Sequence, residues 1–169
     1  RTDEMMEPST TVMLRWADDD SGLYIGVACD EPEMEKLNPQ VAEDDSFSVF
    51  DNDVVEVFLE TPERSAFRAA INVNSAIYDA CTDPNVQPNG TQWDSNWTFA
   101  VKKKDRGWNV ELFISRESLD RVNVPKNENP WGINVCRTRF ITGQAENSAI
   151  SPTHGRFFTI SKFGSVIVK

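Results

Sequence analysis

The run Val54-Val55-Glu56-Val57-Phe58-Leu59 leaves this chain few ways to fold. A short, nearly continuous apolar stretch rich in β-branched and aromatic residues reads as a central strand covered on both sides. A glutamate inside such a strand needs a partner or a ligand, because burying an unpaired carboxylate is costly. The stretch Ile71-Asn72-Val73-Asn74 reads as a neighbouring strand with carboxamides at alternate positions. Together the two would offer Glu56, Asn72 and Asn74 to one ligand. The competing reading places all three as ordinary polar residues on a solvent face.

The rest of the chain repeats the strand pattern. Val12 to Trp16, Leu23 to Cys29, Phe67 to Ser75 and Ala76 to Ala80 alternate or pair as strands, and so do Asn96 to Val101, Gly107 to Ile114, Trp131 to Phe140 and Phe163 to Val168. Asp18 to Gly22 and Lys104 to Gly107 read as turns, and Ser115 opens a single helical turn. Residues 30 to 52, broken by Pro32 and Pro39, form a long irregular connection. Residues 82 to 95 form a second excursion and 141 to 156 a loop. Strands at this spacing without intervening helices predict an all-β, antiparallel β-sandwich, and 169 residues fit one domain spanning 1–169.

A net charge of −10 would repel a phosphate backbone, which excludes nucleic acid as a partner. No segment has the roughly 20 apolar residues of a membrane span. Of the three cysteines, Cys29 and Cys136 fall in apolar strand patterns and read as buried thiols. Cys81 lies in a turn-rich stretch, so one disulfide plus a spare thiol is the alternative.

Enzymatic readings fail mainly by absence, and a glycosidase, which needs only two nearby carboxylates, is the one the acidic composition leaves open. The single histidine, His154, has no nucleophile setting, and there is neither a glycine-rich phosphate loop nor a histidine pair for catalytic zinc. A shelf of carboxylate and amide groups without an activated nucleophile suits holding a hydroxyl-rich molecule. Aromatic rings complete such a site, because the C–H faces of a sugar pack on them. Trp16, Trp97, Trp108 and Trp131 fall in phase with core positions, leaving Trp93, Phe50 and Phe157 as the candidate platform.

These residues, taken in order, resemble carbohydrate-binding module family 9. The likeness is carried by Leu23-Tyr24-Ile25-Gly26-Val27 with Asp30-Glu31-Pro32, the Asp53 to Phe58 strand, Ile71 to Asn74, Gly107-Trp108-x-Val110-Glu111, Trp131 to Asn134 and Lys162-Phe163-Gly164. It runs from about residue 12 to the end and lacks only the family's first strand. The resemblance implies a jelly-roll-like sandwich that binds sugars and carries structural calcium, often beside glycan-active enzymes. Glu56 and Asn74 stand at the family's binding glutamate and asparagine. Phe50 and Phe157 stand where two tryptophans sandwich the sugar, Asn72 replaces the binding arginine and Cys136 the glutamine. Asp30 matches a position associated with calcium. The expectation is a noncatalytic sugar-recognising module trimmed from a secreted, extracellular or periplasmic glycan-processing protein, with other domains of that polypeptide as partners. The alternative is a degenerate sandwich serving structure or protein docking.

Overall fold

Apolar alternation becomes strand pairing throughout the computed structural model, which describes residues 9–38, 40, 43–63, 65–82, 90–119, 125–126, 128–140 and 145–168. The strands are β1 (Thr10–Trp16), β2 (Gly22–Asp30), β3 (Val54–Glu60), β4 (Ala66–Asn72), β5 (Ile77–Cys81), β6 (Thr98–Lys104), β7 (Gly107–Ser115), β8 (Trp131–Phe140), β9 (Ala145–Ala149) and β10 (Gly164–Val166). One sheet has four strands in the order β1-β2-β7-β6. The other has six, in the order β10-β8-β3-β4-β5 with β9 also on β8. All pairings are antiparallel. The chain is therefore an all-β sandwich.

The inner faces meet in one core. Val55, Val57 and Leu59 of β3 join Ile25 and Val27 of β2, Val110 and Leu112 of β7, and Ile133 and Val135 of β8. The tryptophans at 16, 97, 108 and 131 pack there as the alternation predicts, with Trp16 edge-on to Trp131 at 5.3 Å between ring centres. Trp93 is a correction. It is buried against Phe67 and Trp97, so it offers no ligand platform. Gly107, at φ +148°, turns β6 into β7 directly against β2, where a Cβ would stand 2.3 Å from the Cys29 carbonyl oxygen.

Two other expectations need correction. The 141 to 156 stretch contains β9, which alternation does not announce because Ala145 to Ala149 is a polar, largely exposed edge segment. The residue 30 to 52 connection is not wholly irregular, since it winds into 3-10 turns at Met34–Lys36 and Phe47–Asp51, the second begun by a Ser46 side chain accepting from the Ser48 amide. All three cysteines are buried, and none forms a disulfide. Pro39, residues 83–89 of the second excursion and residues 141–144 lie outside the described residues.

The two sheets are joined at one end by ions as well as by apolar packing. Arg137 of β8 points inward with a side chain only 1 % exposed, facing Asp53 and Glu31, both fully buried. Its Nε and Nη2 donate to the Asp53 carboxylate at 3.0 and 2.6 Å, and Nη2 also donates to Glu31 at 3.4 Å. Its Nη1 donates to the backbone carbonyls of Ser9 and Asp30 at 3.1 and 2.9 Å. Arg139 adds two bonds to Glu31, at 2.6 and 3.0 Å. Burial alone would pull the Arg137 pKa down, but the hydrogen bonds and charge of Asp53 outweigh it and hold it above its ordinary value. Burial pushes Glu31 up, yet Arg139, the Glu33 amide and Arg137 bring it below the ordinary carboxylate value of 4.5.

Removing one partner of such a network strands the others without compensation. Arg137→Met is expected to cost about 3–5 kcal/mol in urea unfolding, whereas Arg15→Met, whose partner Asp18 is exposed, should leave the midpoint in place. Because the folded-state pKa of Glu31 is depressed, its contribution is present above the unfolded pKa and is lost as pH falls through the folded one. Acid unfolding driven by this group should therefore set in below pH 4.5 and weaken in Glu31→Gln.

Candidate functional site

The outer face of the six-stranded sheet carries the side chains opposite to the core. Register assigns them to rows. Glu56 lies beside Ala70 of β4 and Cys136 of β8, and Ala70 lies beside Tyr78 of β5. In the next row Phe58 stands between Arg68 of β4 and Asn134 of β8. Thus a carboxylate and a guanidinium occupy diagonal positions on adjacent strands. They meet. Arg68 Nε and Nη2 donate to Glu56 Oε2 at 2.9 and 2.5 Å.

Aromatic rings enclose this pair. The Arg68 guanidinium carbon lies 4.6 Å from the centre of Phe50, 5.4 Å from Tyr78 and 5.6 Å from Phe58, within cation–π range of all three. Phe50 and Tyr78 meet edge-on at 5.2 Å, and Phe47, 75 % exposed, extends that wall outward at 5.6 Å from Tyr78. Beyond Phe58, Phe158 packs on that ring at 5.7 Å with Phe163 alongside at 6.0 Å. The site is therefore a trough with an ion pair at its base. Glu56 is buried and the Arg68 side chain is 29 % exposed, so the guanidinium is the part a ligand meets first.

Electrostatics follow from that burial. Desolvation raises the Glu56 pKa above its ordinary value, and the charge and hydrogen bonds of Arg68 recover only part of the shift. The Cys136 thiol, buried beside it, is pushed up to about 12 by burial and then by the Glu56 charge. It forms part of the floor and does not act as a nucleophile.

The structure brings together Glu56, Phe50 and Cys136 of the residues singled out from sequence, and it spends the others elsewhere. The Asn72 side-chain oxygen accepts from the amides of Asn74 and Ala76 at 2.9 and 3.0 Å, and its nitrogen donates to the Val49 carbonyl. The Asn74 side chain donates to the carbonyls of Asn38 and Gln40 and accepts from Lys103. Both amides thus tie the β4–β5 turn to the segment that carries Phe50, and they position the rim from behind. Phe157 makes none of the ring contacts in the trough. The adjacent Phe158 makes them instead. Arg68, Tyr78, Phe47, Phe58 and Phe158 escaped the sequence reading. The signal for Arg68 was present, a lone charge in the apolar run Ala66 to Ile71, but only register shows that it faces Glu56.

Asp30 ends β2 on the opposite sheet with an exposed side chain. The oxygens gathered there, from the Asp30 and Ser9 carbonyls, Glu31 and Asp53, are the donor type a calcium ion takes. They already surround the Arg137 guanidinium. A cation at this corner would have to displace it, so these residues do not fit calcium. Among the described residues no group of three or more His, Cys, Asp or Glu side chains is arranged to hold a metal ion.

No family model matches the chain, and no curated protein matches it significantly. Solved structures do. A carbohydrate-binding module of family 9 from Caldicellulosiruptor kristjanssonii, in complex with cellotriose, superposes with a TM-score of 0.64 at 17 % identity, over 97 % of this chain and 77 % of that one. The glucose complex of a family 9 module from the same organism gives 0.64 at 16 % identity, over 97 % and 79 %. A Bacteroides uniformis protein whose proposed role is carbohydrate binding gives 0.66 at 10 % identity, over 92 % and 84 %. At these identities the likeness is one of fold: the chain has the family 9 module fold.

Burial and raised pKa make the site thiol inert. A thiol-specific aromatic disulfide reagent at pH 8 should therefore label none of Cys29, Cys81 and Cys136 in the native protein and all three after denaturation. Rapid native labelling of Cys136 would mean that the floor of the trough is open.

Proposed function

We propose that this chain is a noncatalytic carbohydrate-binding module that takes a sugar in the trough above β3. The observation that carries the reading is the Glu56–Arg68 pair set among the Phe50, Phe58 and Tyr78 rings. A paired carboxylate and guanidinium present acceptors and donors side by side, the complement of adjacent hydroxyls. The neighbouring rings supply apolar surface for the C–H faces of a pyranose. The sugars in the two neighbouring complexes, cellotriose and glucose, support this ligand class.

A noncatalytic role is favoured by spacing. Glycoside hydrolysis uses two carboxyl groups about 5–9.5 Å apart. The next carboxylate along this face, Glu60, is four residues from Glu56 on the same strand, about 13 Å at about 3.3 Å per residue. The module would accompany a secreted, extracellular or periplasmic glycan-processing protein, with the remaining domains of that polypeptide as its partners. Asn72 and Asn74 serve it indirectly by holding Phe50 in place.

Calorimetric titration with glucose, xylose, cellobiose and galactose should reveal a ligand, and Glu56→Gln and Arg68→Met should each weaken it about tenfold or more, as expected for lost charge-assisted hydrogen bonds worth about 1.5–3 kcal/mol. An unchanged saturating signal in both variants would overturn the assignment.

Acid should also release the sugar. The folded pKa of Glu56 lies above 4.5, so protonation breaks the Arg68 pair as pH falls through that raised value. A raised carboxyl pKa favours the protonated folded state, so from this group stability rises as pH falls, the opposite sense to Glu31. Affinity should therefore drop at a pH where circular dichroism still reports a folded protein. Affinity constant down to the unfolding pH would remove Glu56 as a ligand group.

A further inference from the structure

The edges of the two sheets are unequally protected. A strand edge leaves a row of backbone N–H and C=O groups open to another chain, and proteins blunt it by shortness, charge, proline or a covering segment. Among the described residues, β10 is three residues long, β9 is five, and β6 ends in Lys102-Lys103-Lys104. The β5 edge is covered where the Asp45 amide donates to the Ile77 carbonyl and the Ile77 amide donates to Asp44 Oδ1. β1 differs. Thr10–Trp16 is seven residues long, without proline or lysine, and pairs with β2 in unbroken register. Its one charge, Arg15, is paired with Asp18, while Met13 and Leu14 are 70 % and 39 % exposed.

Hydrogen-bond parity shows which backbone groups of β1 are left over. At the two ends of the β1–β2 ladder the Asp30 amide donates to the Ser9 carbonyl and the Ala17 amide to the Gly22 carbonyl, both at 2.8 Å. Bonded residues alternate along an antiparallel pair. Thr11, Met13 and Arg15 therefore bond to β2, and the N–H and C=O groups of Thr10, Val12, Leu14 and Trp16 point away from it. Among the described residues no backbone group meets them. Below them, Leu14 and Trp16 line a groove shared with Val166 and Ile167.

We infer that two copies of this chain pair through β1 as an antiparallel dimer, joining their four-stranded sheets into one. A two-fold axis at Met13 sets Val12 opposite Leu14 of the partner subunit and Thr10 opposite Trp16 of the partner subunit. Every outward N–H and C=O of the strand then gains a mate, whereas an axis at Thr11 or Arg15 would leave half of them facing residues outside the strand. Exposed Met13 meets its own copy, and Leu14 is covered by Val12 of the partner subunit above the groove. Charge is compatible with this register. β1 holds no carboxylate in a chain with 27 Asp and Glu residues. Arg15 lies opposite Thr11 of the partner subunit, which keeps the two arginines about 13 Å apart at about 3.3 Å per residue. The net charge of −10 opposes association at long range, and salt screens it.

Sedimentation velocity on the full chain tests the interface. At an ionic strength of about 0.15 M the mass should climb from 19.1 kDa toward twice that value over about 5–200 µM, because mass action drives a dimer. Met13→Lys sets like charges face to face on the axis and should raise the dissociation constant about tenfold or more, and an equal mixture with Met13→Glu should restore it. Leu14→Pro removes an outward N–H while sparing the bonds to β2, and should abolish the dimer. Circular dichroism checks that each variant is folded; if Leu14→Pro is not, the exposed Met13→Lys decides alone. Met13→Cys supplies the geometric check. Facing residues of a non-bonded antiparallel pair have Cα atoms about 4.5 Å apart, within disulfide reach, so mild oxidation should cross-link the introduced thiols while the buried native cysteines stay unreacted. A monomer at every concentration overturns the inference. So does a dimer that survives the folded variants or yields no cross-link.

Discussion

A buried arginine organises one end of this molecule, and the position of the Glu56–Arg68 pair follows from it. Guanidinium has five N–H donors. In Arg137 they supply the five contacts to Asp53, Glu31 and the carbonyls of Ser9 and Asp30. Those acceptors come from the segment before β1, the end of β2 and the lead into β3, so a single side chain on β8 sets where three segments stop and start. The Trp108 indole of the opposite sheet also donates to Asp53. Since Asp53 precedes Glu56 by three residues on an extended strand, fixing the first fixes which face the second occupies.

Two of the buried carboxylates, Glu31 and Glu56, answer to opposite balances of the same forces. Glu31 receives two arginines and the Glu33 amide, and its acidity is strengthened despite burial. Glu56 has Arg68 alone, and burial prevails. A fully satisfied carboxylate suits a structural clamp. One that retains unmet demand for donors suits a surface that a hydroxyl-rich ligand completes. The guanidinium that serves Glu56 is itself held by three aromatic rings and partly exposed, so the trough keeps its shape without a ligand and binding need not order it.

Much of the fold was legible from alternation. Among the described residues, nine of the ten strands fall on segments whose side chains alternate or run continuously apolar, and the exception, β9, is short, polar and at an edge. The site was less legible. Glu56 stood out because a carboxylate in an apolar run needs a reason, and Phe50 because it lies beside that run. Asn72 and Asn74 carry the right chemistry, but a carboxamide next to a turn satisfies backbone groups more readily than a distant ligand, and both are spent that way. Phe157 and Phe158 are adjacent and identical, and no local rule says which ring turns toward Phe58.

The sequence by itself determined that the chain is all-β and where most strands lie. It also determined that Glu56 must be answered by something, because a two-residue side-chain period and the cost of a buried charge are local facts. Only the tertiary structure decided that Arg68 answers it, that Arg137 holds the Asp30 corner, and that Phe158 packs on Phe58. Those choices depend on register between strands and loops far apart in the chain. A shift of one residue in any of them would send each side chain to the opposite face.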